Sequence, residues 1–145
     1  MPGRMQPIVT GETYHVFNLG IDHRPTFTDK REYRRALETL RYYRCAEPPI
    51  KYSHFLVLDA ETRSKILHDL PHRQQLVACL AFCFMPNHFH FLLQQLANNG
   101  IAKFMSNFQN SFTRFFNIRH ERIGPLFLDQ FKAVRIETDE QLMHV

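Results

Sequence analysis

Apolar positions along the chain recur with two periods, and the switches between them divide it into elements. Residues 13–21 (Thr-Tyr-His-Val-Phe-Asn-Leu-Gly-Ile) are rich in strand formers and stop at Gly20, which predicts a first strand over 12–19. After a loop with Asp22 and Pro25, Thr28 or Asp29 can cap a helix running to about Arg44. Its Tyr33, Ala36, Leu37, Leu40 and Tyr43 fall at helical spacing and predict the buried stripe. Glu47-Pro48-Pro49 breaks the chain, and Ile50 to Leu58 reads as a second strand. Asp59 then caps a short helix through Ile66, Leu67 and Leu70, ended by Pro71. The apolar run over 75–85 predicts another strand. The segment 88–95 continues that strand past Pro86-Asn87 or pairs next to it, and continuation with a kink or bulge is the favoured reading. From Ile101 to Phe116 the residues Ile101, Phe104, Met105, Phe108, Phe112, Phe115 and Phe116 repeat at three- and four-residue steps, the core stripe of a helix of about 20 residues. Gly124-Pro125 makes a turn and 131–136 alternates as a last strand. Thr138 with Gln141 three residues on fits the capping box of a final helix.

The order strand, helix, strand, inserted helix, strand, helix, strand is that of an α+β, ferredoxin-like two-layer sandwich. Such a fold has an antiparallel sheet with helices on one face, the other face being free for a site. At 145 residues the chain is read as one domain over 1–145. A 44% apolar composition with 14 Phe excludes a disordered chain. No apolar segment reaches the length of a membrane span, and residues 1–11 lack the apolar core of a signal peptide, so no membrane partner is expected. Cys45, Cys79 and Cys83 form no CxxC pair and read as buried free thiols, which suits a reducing cytoplasm.

The net charge of +4 is compatible with a polyanionic partner such as nucleic acid. Its distribution is more telling. Arg31, Arg34 and Arg35 stand among the cations of the first helix, and Lys132 and Arg135 on the last strand. These five are the candidate DNA contacts, against the alternative of a solvated helix face.

The chemistry concentrates at Met85-Pro86-Asn87-His88-Phe89-His90-Phe91-Leu92-Leu93. In an extended strand, residues two apart share a face, so His88, His90 and Leu92 lie on one side and Phe89, Phe91 and Leu93 on the other. Two imidazoles about 6–7 Å apart at their Cα atoms can converge on one metal ion. Imidazole suits zinc, iron and nickel, and with carboxamide, carboxylate or water beside it also magnesium or manganese. Two histidines do not close a structural site, so a further ligand must come from elsewhere.

That segment resembles the HUH signature (His, hydrophobic, His) of single-tyrosine transposases, in the group related to REP-associated tyrosine transposases. Three further blocks resemble the same family in the same order: Thr10-Gly11-Glu12-Thr13-Tyr14-His15-Val16-Phe17-Asn18, Phe115-Phe116-Asn117 with Gly124-Pro125-Leu126-Phe127, and Phe131-Lys132-Ala133-Val134-Arg135. The resemblance implies a ferredoxin-like fold, usually dimeric, and DNA transposition by cutting and rejoining single-stranded DNA at hairpin-forming ends. It also implies a tyrosine that forms a 5′-phosphotyrosyl intermediate. His88 and His90 would hold a divalent ion, Mg²⁺ or Mn²⁺, that polarises the scissile phosphate.

The resemblance places the nucleophile on the helix after the last strand, in a Tyr-Ile-x-x-Asn-Pro type motif. None of Tyr14, Tyr33, Tyr42, Tyr43 and Tyr52 occupies that place, and the tyrosine is expected beyond Val145. Leu19 stands where relatives usually have Arg, and Leu128-Asp129 where they tend to have Gln-Gly. The expectation is therefore a catalytically incomplete transposase core. The rival reading is a non-catalytic nucleic-acid-binding remnant of the fold; a metal-binding domain unrelated to DNA is a third.

Overall fold

In a computed structural model that describes residues 7–143, the alternation of Thr13–Leu19 becomes strand β1, with Tyr14, Val16 and Asn18 buried and the residues between them half-buried. The amino-terminal six residues and the last two lie outside the described residues, as does any tyrosine expected past Val145. Helix α1 follows over Lys30–Tyr43, and Asp29 is its cap, accepting a hydrogen bond from Glu32 N at 2.9 Å. Its buried face is Glu32, Ala36, Thr39, Leu40, Tyr42 and Tyr43. The expected stripe is thus rotated: Tyr33 is exposed and Leu37 only half-buried. The rotation follows from Glu32, a carboxylate with partners of its own in the core, described below.

The strand expected at Ile50–Leu58 is instead a helical turn, α2 (Tyr52–Phe55). Tyr52 and Phe55 are three residues apart and both buried, their rings 5.0 and 5.2 Å from that of Tyr42. Alternate faces of a strand could not send both into one core. Helix α3 (Ala60–Asp69) starts at Asp59 as expected, and buries none of its residues.

The second strand is β2 (Val77–Met85), and the segment after it turns back rather than running on. Strand β3 (His88–Gln95) pairs antiparallel with β2, Met85 opposite His88, so Pro86-Asn87 is a two-residue hairpin loop. Proline lacks the N–H that a continuing ladder needs, which makes the pair a stop, not a kink. Helix α4 (Gly100–Arg119) and strand β4 (Lys132–Arg135) follow, then α5 (Asp139–Met143) behind the capping box, where Thr138 Oγ1 accepts from Gln141 N at 3.1 Å. The sheet order is β2-β3-β1-β4, all neighbours antiparallel: the ferredoxin-like order, reached with a different second strand from the one expected.

Phe104 and Phe108 of α4 press onto Phe89 and Phe91 of β3, closing one face of the sheet, and Phe112 packs against Phe27 and Phe127. Helix α4 enters so close to the chain before β2 that a Cβ at Gly100 would lie 2.2 Å from the Leu76 carbonyl oxygen. Gly100→Ala is expected to cost about 1–3 kcal/mol by forcing backbone apart, measurable by urea denaturation. An unchanged midpoint would mean that α4 can slide along the sheet.

Ends of α1 and α4 are clasped by charge. Glu32 is fully buried and accepts from Thr28 N (2.8 Å), Arg119 Nη1 (3.0 Å) and His120 Nε2 (2.7 Å). Arg119 Nη1 also donates to Asp29 at 2.9 Å.

Candidate functional site

On the bare face of the sheet, cross-strand partners assemble what sequence separates. Opposite residues of a ladder share a face. His90 lies between Cys83 of β2 and Phe17 of β1, and Phe17 faces Lys132 of β4. His88 lies between Met85 and Leu19. The two imidazoles project from one side of β3, as its alternation predicts, with ring centroids 4.9 Å apart and nearly perpendicular. Phe89 and Phe91, pointing the other way, are buried in the core and anchor the strand.

A third imidazole joins them. His15 Nε2 is 2.9 Å from His90 Nδ1. The ring centroids are 5.0 Å apart with a 24° twist, close to that N···N distance plus a ring radius at each end. The rings therefore meet edge to edge and share one N–H···N hydrogen bond. His88 Nδ1 is 2.8 Å from Asn87 Oδ1, and only an N–H can bond that oxygen, so the lone pair of His88 sits on Nε2. When His90 donates to His15, its lone pair likewise sits on Nε2. Metal-ligating histidines are commonly oriented by such a bond at the other ring nitrogen.

Burial lowers the pKa of His15. Burial, followed by the charges of His15 and His88, lowers that of His90. Both are neutral at pH 7, the form that binds metal. The two imidazoles of His88 and His90, with engaged Nδ1 atoms, fit a divalent ion as a two-ligand half-site. Among the described residues no group of three or more His, Cys, Asp or Glu side chains is arranged to hold a metal ion.

The basic candidates divide. Lys132 shares the imidazole face, while Arg135 is opposite Tyr14 on the helix-covered face and pairs with Glu12 at 3.2 Å. Arg31 and Arg34 are exposed on α1, and Arg35 is held between the rings of Tyr52 (4.9 Å) and Phe115 (4.7 Å). The sheet thus separates these three from the imidazoles. Tyr14 is buried on the core face of β1, and Tyr33, Tyr42, Tyr43 and Tyr52 lie in α1 and α2, so none of the five tyrosines stands beside the imidazoles. The cysteines correct the expectation of burial: Cys45 is buried and Cys79 half-buried, but Cys83 is exposed beside His90.

His15 was not among the expected site residues. Alternation along β1 does set it opposite Tyr14 and Val16, but only the β1–β3 register brings it to His90. No local pattern reports that register.

The architecture is found in known proteins. A REP-associated tyrosine transposase bound to a REP hairpin superposes with a TM-score of 0.62 at 12% identity, over 99% of this chain and 67% of the other. A candidate transposase from Deinococcus radiodurans R1 superposes at 0.54 and 11% identity, over 99% of this chain and 92% of the other. The chain therefore has a fold like that of the single-tyrosine transposases, in agreement with the resemblance of its sequence blocks. No protein-family model and no curated protein matches the sequence. No helix among the described residues is long and apolar enough to cross a membrane.

Proposed function

We propose that this chain acts in DNA transposition as a core that engages single-stranded, hairpin-forming DNA. His88 and His90 would hold a divalent ion, Mg²⁺ or Mn²⁺, on the bare face of the sheet. The observation that carries the reading is the pair of imidazoles on one face with both Nδ1 atoms engaged, in a fold shared with a hairpin-bound transposase. Such an ion, when bound, supplies charge that polarises a phosphate. The chain's own part is to keep His90 neutral and both imidazoles oriented, to offer Lys132 to the polyanion, and to seat the whole on a core-anchored strand. Cleavage needs a nucleophile as well, and no tyrosine accompanies the imidazoles among the described residues. The reading therefore includes DNA binding without a phosphotyrosyl adduct from this chain. A homodimer, implied by the resemblance, belongs to the same proposal.

The test is fluorescence anisotropy with a labelled single-stranded hairpin, followed by a denaturing gel in Mn²⁺. Binding that weakens steeply with salt and leaves no covalent band is expected. His88→Ala or His90→Ala is expected to weaken Mn²⁺ binding by about 100-fold or more, beyond the 10–100-fold that outer partners cost. A covalent band that survives His88→Ala would sink the metal role. A band from the unaltered chain would show that one of its own tyrosines reaches the site. Hairpin binding that ignores Mn²⁺ and both substitutions would favour a non-catalytic nucleic-acid-binding module.

A further inference from the structure

Four arginine Nε atoms are buried with no hydrogen-bond partner among the described residues: those of Arg35, Arg44, Arg63 and Arg135. A buried N–H without a partner is costly, so each needs an explanation. Arg135 forms ion pairs with Glu12 and Glu137, and Arg35 is sandwiched between two aromatic rings. Arg44 and Arg63 have no such account. Their guanidinium groups make no hydrogen bond or ion pair among the described residues, and both line one cavity of about 810 Å³. Arg41 lines it too, without an ion pair of its own.

The cavity lies in the helix layer, between the carboxyl-terminal half of α1 and the helices α2 and α3. Its one carboxylate, Glu38, already accepts from Tyr52 OH at 2.7 Å. Three cations thus face one engaged anion. Helix α3 buries no side chain, yet it lends Arg63, Ser64 and Leu67 to the wall. The volume is that of a small-molecule pocket. Guanidinium groups, with several planar donors each, match the oxygens of a phosphate bidentately. Leu56, Leu67 and Pro71 add an apolar side on which a base or sugar can rest.

We infer that this cavity binds a phosphate carried on a nucleoside, with the unpartnered guanidinium groups of Arg44 and Arg63 donating through their terminal nitrogens and Arg41 supplying charge at the mouth. The site is independent of the imidazole face, from which the sheet separates it. The phosphate can come from a free nucleotide or from a phosphodiester of a bound strand.

Arginine Nε–H resonances of the full chain, followed by ¹H–¹⁵N NMR, test the site with three probes: inorganic phosphate, deoxyadenosine monophosphate, and a short single-stranded oligonucleotide without terminal phosphates. Saturable movement of the Arg44 and Arg63 signals is expected. A response to phosphate and mononucleotide identifies a free nucleotide as the source; a response to the oligonucleotide alone identifies the strand. Arg44→Met and Arg63→Met, which keep the apolar stems, are expected to weaken the responding probe about tenfold or more. His88→Ala is expected to leave that binding unchanged, so failure at the imidazole face leaves this site testable. Signals that stay still with all three probes, or that move equally with acetate at matched ionic strength, overturn the assignment. This readout on the unaltered protein decides the matter even where a variant does not fold.

Discussion

Truncating Phe108 to alanine is expected to lower the unfolding free energy by about 3–5 kcal/mol, the usual cost of removing a fully buried aromatic ring. The ring has no solvent exposure and sits 5.1 Å from Phe91, 5.4 Å from Phe89 and 6.3 Å from Phe84. It therefore bridges α4 to both strands of the β2–β3 hairpin. Its loss removes burial and leaves a cavity that neighbours on a rigid sheet cannot fill. Urea denaturation reads the effect as a shifted midpoint at constant slope. A loss near 1 kcal/mol would mean that α4 collapses onto the sheet, and the imidazoles on the far side would then shift as well.

The second large effect belongs to Glu32. Substitution by alanine strands Arg119, His120 and the Thr28 N–H together, and about 3 kcal/mol of stability is expected to go with it. That is the low end for breaking a buried ion pair, because Arg119 is partly solvated and keeps Asp29. The clasp also sets the acid limb of stability. Burial acts to raise the Glu32 pKa, but hydrogen bonds from Thr28 and His120 outweigh it and leave it below its ordinary value. Arg119, through its hydrogen bond, pulls Asp29 down to about 2. Both carboxyls are more acidic folded than unfolded. Their contribution is complete above the unfolded values of 4.5 and 3.8 and is lost as pH falls through the folded ones. Thermal melts between pH 5 and 2 should fall steeply for the natural chain and less so for Glu32→Gln. Superimposable acid limbs would place the acid sensitivity elsewhere.

Much of this architecture could be read from local pattern. The α4 stripe from Ile101 to Phe116, the caps at Asp29, Asp59 and Thr138, and the two faces of His88–Leu93 are short-range signals, and the structure has them. What local pattern could not report was pairing. Ile50–Leu58 carries strand formers, yet Tyr52 and Phe55 are claimed by Tyr42 on α1, a tertiary demand that outweighs propensity. Pro86-Asn87 is not one of the favoured hairpin pairs, so the reversal there carries a weak signature. The same blindness hid His15, whose partner is 75 residues away. Tyr33 was misplaced for a related reason: a stripe counted from apolar residues alone cannot anticipate that a glutamate takes the buried position beside it.

The hairpin loop that presents His88 is itself held in place. Pro86 O accepts from Thr26 N (2.7 Å) and Phe27 N (3.1 Å), and Asn87 O accepts from Gly20 N (2.9 Å). Beyond it, β3 is hydrogen-bonded on both sides, by β2 and by β1. In the hierarchy of local opening, such a central strand exchanges its amide protons among the last, while a sheet's edges and termini fray first. The two imidazoles are thus mounted where transient unfolding arrives late. Whatever they hold keeps its seat while β4, α3 and α5 breathe around it.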